Sequence, residues 1–171
     1  MAAGSTYTPI ATTTLGSSQS SVTFSSLGSY TDLIIDVTGT SSVAANVGIR
    51  FNSDSSSLYS WTSLYARSEG AGTPGSAKAT AQTLIYCNWY TAFTSSYRGQ
   101  IKINVMNYAN STNKTILSRA ITTPGDSTFS GNELIAGLWR STSAITSITV
   151  ICDGGTFSTG STFTLYGIQA A

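Results

Sequence analysis

The chain contains no histidine. That removes the commonest general base, the usual Ser-His-Asp and Cys-His arrangements, and any histidine ligand to zinc. Its two cysteines, Cys87 and Cys152, are too few for a four-cysteine metal site. Each lies in an apolar run, Leu84-Ile-Tyr-Cys87 and Ile148-Thr-Val-Ile-Cys152, which suits buried free thiols; a disulfide joining two core strands is the alternative. Charge is scarce as well, at 9% of 171 residues against roughly 25% in ordinary soluble chains. The cations Arg50, Arg67, Lys78, Arg98, Lys102, Lys114, Arg119 and Arg140 form no run or stripe, so nucleic acid is not an expected partner. No apolar run approaches the roughly 18 residues that span a bilayer. Met1-Ala-Ala-Gly lacks the basic and apolar regions of a secretory leader, so neither membrane insertion nor export is expected. Gly-x-Ser-x-Gly and Gly-x-x-x-x-Gly-Lys are both missing, and no cofactor is expected.

What the chain does have is hydroxyls: about a third of its residues are Ser or Thr. Val, Ile, Leu, Phe, Tyr and Trp recur in short clusters throughout, which disordered chains do not supply. The combination predicts an all-β domain whose outward strand faces carry Thr and Ser in place of Lys and Glu, since the branched Cβ of Thr fits a pleated surface. A net charge of +1 gives little self-repulsion. Such a surface suits a subunit of an assembly, although a neutral monomer kept soluble by hydroxyls has the same composition.

Strand signals recur every ten to fifteen residues, near 10–15, 22–25, 32–38, 46–52, 83–88, 99–108, 115–122, 132–140, 145–152 and 162–168. The clearest alternation is Ile101-Lys-Ile-Asn-Val105, with the apolar residues on one face. Two segments break the rhythm. Residues 55–67 read as a helical turn, with Leu58, Trp61 and Tyr65 three and four apart, or equally as a strand with an irregular loop. Residues 68–80, with three Gly and one Pro, read as a loop with a mobile tip. The expected architecture is a single antiparallel jelly-roll β-sandwich over 1–171, with a loose arm over about 1–6 and a long loop region over about 55–80. An immunoglobulin-like sandwich is the alternative, but Trp89 follows Cys87 too closely for its Cys…Trp…Cys hallmark.

Chemistry would have to rest on carboxylates. Asp32 and Asp36 share one face of a predicted strand about 13 Å apart, wide for a glycosidase pair. Asp54, Glu69, Asp126, Glu133 and Asp153 fall at predicted turns or strand ends and read as solvated turn acids. No catalytic residue and no metal ligand is expected, and the chain does not read as an enzyme. Trp61, Tyr65, Trp89, Tyr90, Tyr97 and Trp139 are the candidate contact residues: platforms for sugar rings, anchors at a protein interface, or core fillers.

Ser161-Thr-Phe-Thr-Leu-Tyr-Gly-Ile-Gln169, with the following Ala, resembles the "TFTLYGI(K/Q)A" ending of small Ser/Thr-rich β-proteins of tailed bacteriophages, especially phages of cyanobacteria. Tyr7-Thr-Pro-Ile-Ala-Thr-Thr-Thr-Leu-Gly16, Val22-Thr-Phe24 and Tyr30-Thr-Asp-Leu-Ile-Ile-Asp36 are similar to the opening of the same group. The resemblance covers roughly a third of the chain and carries no catalytic signature. It implies a virion structural protein, made in the host cytoplasm. The expected role is a capsid decoration or cement protein, acting as a homotrimer across contacts between major capsid subunits. The alternative is a tail, baseplate or fibre component that binds host-surface carbohydrate.

Overall fold

Period-two burial organises most of the long strands, β3 (Asp32–Gly39) being an exception in its buried Leu33-Ile34-Ile35 run. In β8 (Gly99–Met106), Ile101, Ile103 and Val105 are fully buried while Gln100 faces solvent. Their neighbours on β3 are Val37, Ile35 and Leu33, paired antiparallel with them and equally buried. The computed structural model describes residues 6–67, 74–122 and 131–169, and among these it contains only strands, turns and irregular segments. The remaining strands are β1 (Tyr7–Thr14), β2 (Ser21–Phe24), β4 (Asn46–Phe51), β5 (Tyr59–Arg67), β6 (Pro74–Gln82), β7 (Ile85–Tyr86), β9 (Lys114–Thr122), β10 (Gly131–Trp139), β11 (Ile148–Asp153) and β12 (Thr162–Ile168).

They form two sheets, ordered β1-β12-β3-β8-β9-β10-β5-β6 and β2-β11-β4-β7. The first four strands of the large sheet and the whole small sheet make nested pairs: β1 and β2 with β12 and β11, β3 and β4 with β8 and β7. That nesting, with the chain alternating between the sheets, is the jelly roll. Two hairpins are added to it. β9–β10 follows β8 and β5–β6 leaves from β4, and both extend the large sheet beyond the edge of the small one. The core lies between the sheets, with Ile35, Ile103, Phe163 and Leu165 on one side and Val47, Ile49, Ile148 and Val150 on the other, all fully buried.

The outer faces carry hydroxyls as the composition predicts. Thr12 pairs with Thr164, Thr14 with Thr162 and Thr23 with Thr149 through side-chain hydrogen bonds of 3.0–3.5 Å. Both edges of the large sheet resist further pairing. β1 carries Pro9 and a register shift before Ala11, and β6 opens on Pro74 with Lys78 at its centre.

The structure corrects several sequence-based expectations. For 55–67 the strand with an irregular loop holds and the helical turn does not: Tyr59, Trp61 and Ser63 alternate inward in β5, and 55–58 form the loop before it. The Leu58, Trp61 and Tyr65 spacing is coincidental. Residues 74–80, expected in a loop, belong to edge strand β6; 68–73 lie outside the described residues. Strand formation there rests on pairing with β5, not on propensity. The small residues also have a packing use. A Cβ on Gly75 would lie 2.4 Å from the Tyr65 ring, so that ring rests directly on the β6 backbone. The strand expected over 83–88 shrinks to β7, and the one expected from 145 begins at Ile148. Before it, Asn52 Oδ1 accepts from Thr146 N at 2.7 Å and holds the chain in a loop. The arm expected over 1–6 lies outside the described residues up to 5, and β1 starts at Tyr7. Cys87 and Cys152 are both buried and free.

Candidate functional site

Where the large sheet overhangs, β7 and the chain after it fold against the inner face of β10 and β5. Gly137 makes the close approach possible, since a Cβ there would lie 2.4 Å from Ile85 Cγ2. The segment following β7 is fixed by Glu133, a residue only 3% exposed on the inner face of β10. One carboxylate oxygen accepts from Ser63 Oγ on β5. The other accepts from three successive backbone N–H groups, Trp89 at 2.8 Å, Tyr90 at 2.9 Å and Thr91 at 3.3 Å, and from Thr91 Oγ1 at 3.2 Å. Five donors satisfy a buried carboxylate that would otherwise be costly. Glu133 is therefore a structural acid, not the solvated turn residue its sequence context suggests.

This clamp assembles four of the six candidate aromatics into a ledge. Trp89 lies 5.2 Å from Trp61 and 4.8 Å from Tyr86, ring centre to ring centre. Tyr65 and Tyr90 stack at 3.8 Å, and the Arg67 guanidinium sits 5.7 Å from the Tyr90 ring centre. Only Trp89 among these shows a substantial part of its ring, at 37% exposure; Trp61 is buried and Tyr65 and Tyr90 are half-buried. Burial first, then its hydrogen bond to Asp153, pushes the Tyr86 hydroxyl up to about 12, so it stays a donor. The hydrogen bond to Tyr90 is the main cause that raises Tyr65.

The other two candidates lie elsewhere. Trp139 is a core residue, stacked on Tyr59 at 6.0 Å and packed on Phe51 at 5.5 Å, with its Nε1 donating to Asp54 Oδ2 at 2.7 Å. Tyr97 is half-buried in the loop after β7, with its N–H on Thr94 Oγ1 at 3.0 Å. Of the readings open for the six aromatics, the burial of Trp61 and Trp139 fits core fillers.

The outer face of the overhang carries a second feature that the aromatic candidates missed. Leu64, Leu134 and Ile121 are 60%, 40% and 45% exposed. Leu134 on β10 is directly opposite Leu64 on β5 and Arg119 on β9, while Ile121 is opposite Asn132. Ala66 and Pro74 continue the same shallow groove toward the β6 edge. The signal was present in the sequence. In Asn132-Glu-Leu-Ile-Ala-Gly-Leu-Trp139 both alternation classes are apolar, which predicts a strand with a greasy outer face as well as a buried inner one.

The described carboxylates are dispersed and engaged, while Glu69 and Asp126 lie outside the described residues. Asp32 accepts from Asn107 N at 2.7 Å, Asp36 pairs with Lys102 at 3.3 Å, and Asp153 holds Tyr86. Asp54 is held below its usual 3.8, chiefly by the Ser56 hydroxyl and then by the Ser56 N–H. Among the described residues, no three His, Cys, Asp or Glu side chains cluster so as to hold a metal ion. No protein-family model matches the chain, and no curated protein matches it.

Proposed function

We propose that the chain is a structural protein of a tailed-phage particle, a decoration or cement subunit that binds the outer shell across major capsid subunits and stabilises it. The observation that carries this reading is the exposed aliphatic face of the overhanging sheet, in a chain with so little charge to keep surfaces apart. The sequence resemblance supports it. The stretches that carry it form β1, β12 and β3, adjacent in the large sheet, and most of β2 in the small one. Cementing requires no chemistry. A rigid sandwich that buries apolar surface on two shell subunits at once turns binding free energy into resistance to expansion. Clustering of subunits, a homotrimer in this reading, multiplies such contacts.

The test is the copy number per purified particle, measured by quantitative mass spectrometry against the major capsid protein. Hundreds of copies in a simple ratio to shell subunits are expected. A few to a few dozen would overturn the cement role and move the chain to the tail.

A second reading, recognition of host carbohydrate by a tail or fibre component, draws on the exposed Trp89 beside Tyr86. Under it, Trp89→Ala abolishes attachment to host cells; under the shell reading that substitution leaves particle stability unchanged.

A further inference from the structure

The outer face of β9, β10 and β5 presents an ordered array. One row across the sheet reads Lys102, Arg119, Leu134, Leu64 and Ser76, and the next reads Gln100, Ile121, Asn132, Ala66 and Pro74. The aliphatic centre is therefore bordered on one side by two directly opposed cations. Like charges facing each other across strands are unfavourable. Lys102 is relieved by Asp36, but Arg119 has no hydrogen-bond or ion-pair partner among the described residues.

We propose that this face seats the chain on a different protein, and that the partner presents a carboxylate set among apolar side chains, the carboxylate meeting Arg119 and the apolar groups covering Leu134, Leu64 and Ile121. The inference rests on the shell-binding reading and adds the surface and the partner's chemistry to it.

Charge complementarity selects the occupant. A guanidinium beside leucines offers a planar fork for one carboxylate, at the border of an apolar patch where the pair loses much of its solvent screening. Among the described residues, a second copy of this chain has no uncommitted carboxylate to offer. The described carboxylates Asp32, Asp36, Asp54, Glu133 and Asp153 are each committed to a contact within the fold. A two-fold pairing through this face would also bring Arg119 toward its own copy. A sugar is a poor fit, because branched aliphatic side chains offer no flat ring on which to stack. Strand addition at the nearby β6 edge is opposed by Pro74 and Lys78.

The experiment adds recombinant protein back to purified particles that lack it and counts the copies retained, with sedimentation velocity on the free protein alongside. The variants are Leu134→Asp, Arg119→Glu and Arg119→Lys, with Thr14→Asp at the far edge of the same outer face as control. All three positions are on the outward side of their strands, and circular dichroism verifies folding. Expected are attachment of the wild-type protein and the control, loss of about tenfold or more for Leu134→Asp and Arg119→Glu, partial retention for Arg119→Lys, and no change in sedimentation. Undiminished attachment of Leu134→Asp and Arg119→Glu would overturn the assignment of this face while leaving shell binding intact. Failure of the wild-type protein to attach would overturn shell binding and this inference with it. A wild-type oligomer that Leu134→Asp splits into monomers would show that a second copy occupies the face, and would overturn the choice of partner.

Discussion

Replacing Glu133 by Ala removes the acceptor for five donors at once. The Trp89 and Tyr90 N–H groups belong to residues with some access to solvent and can turn to water. Thr91 and Ser63 are fully buried and cannot. Each buried group left without a partner costs about 1–3 kcal/mol, and the emptied side-chain volume adds to that. The expected loss is about 3–5 kcal/mol, the range seen when one partner of a buried charged network is deleted. For a chain of this size each kcal/mol lowers Tm by about 2–4 °C, so the variant melts roughly 6–20 °C lower. Glu133→Gln keeps one carbonyl oxygen for the three N–H groups, and Ser63 can accept from the new amide. Its loss is smaller, about 1–2 kcal/mol, the difference between charged and neutral hydrogen bonds. Urea unfolding followed by tryptophan emission gives the ranking, and amide hydrogen exchange at 89–91 reports the loop itself. A Glu133→Ala protein within about 1 kcal/mol of wild type, with those amides still protected, would refute the claim that this carboxylate holds the ledge together.

Other outcomes follow from the same packing. Trp139→Ala opens the Phe51 and Tyr59 cluster and is expected to cost about 3–5 kcal/mol, whereas Trp89→Ala costs under about 1; equal midpoints in denaturant would contradict the burial of one and the exposure of the other. The folded Asp54 carboxyl is held below its usual 3.8, so its contribution is fully present above that value and is lost as pH falls through the folded value. Midpoints measured between about pH 2 and 6 should accordingly fall less steeply in Asp54→Asn than in the wild-type protein. Burial pushes the Cys87 thiol far up and Cys152 up to about 11. Neither should react with iodoacetamide in native buffer at neutral pH, and rapid labelling without denaturant would show that the core opens more readily than its packing allows.

Much of the sandwich was legible because its strands obey one rule cleanly. β8, β11 and β12 alternate apolar and polar residues, and their inward members meet across the core. β6 was illegible for a physical reason. Pro-Gly-Ser-Ala-Lys-Ala-Thr-Ala-Gln has turn composition and no β-branched apolar residue, and it becomes a strand only because β5 offers partners along most of its length, with one bulge. β5 was ambiguous because Ser63, a core residue by position, is polar and satisfied by Glu133. Side-chain exposure was out of reach altogether. Trp61, Trp89 and Trp139 look alike in the sequence, and only the third dimension sends two inward and leaves one at the surface.

The nested pairing also sets an order of events for folding. Tyr7 is paired with Ile168 and Val22 with Val150, so these ladders close only after almost the whole chain has been gathered in. β8, β9 and β10 form a meander from consecutive segments and need no such closure. Pulse-labelled hydrogen exchange should find their shared ladders protected first and β1–β12 last, with overall folding in the slow range of strongly non-local β-proteins. A meander formed early exposes its leucines for as long as the rest of the chain is still assembling. The same face that would hold a partner is then also the face most open to unwanted self-contact during synthesis, and Arg119, flanked by Lys102, stands where it can keep nascent copies apart.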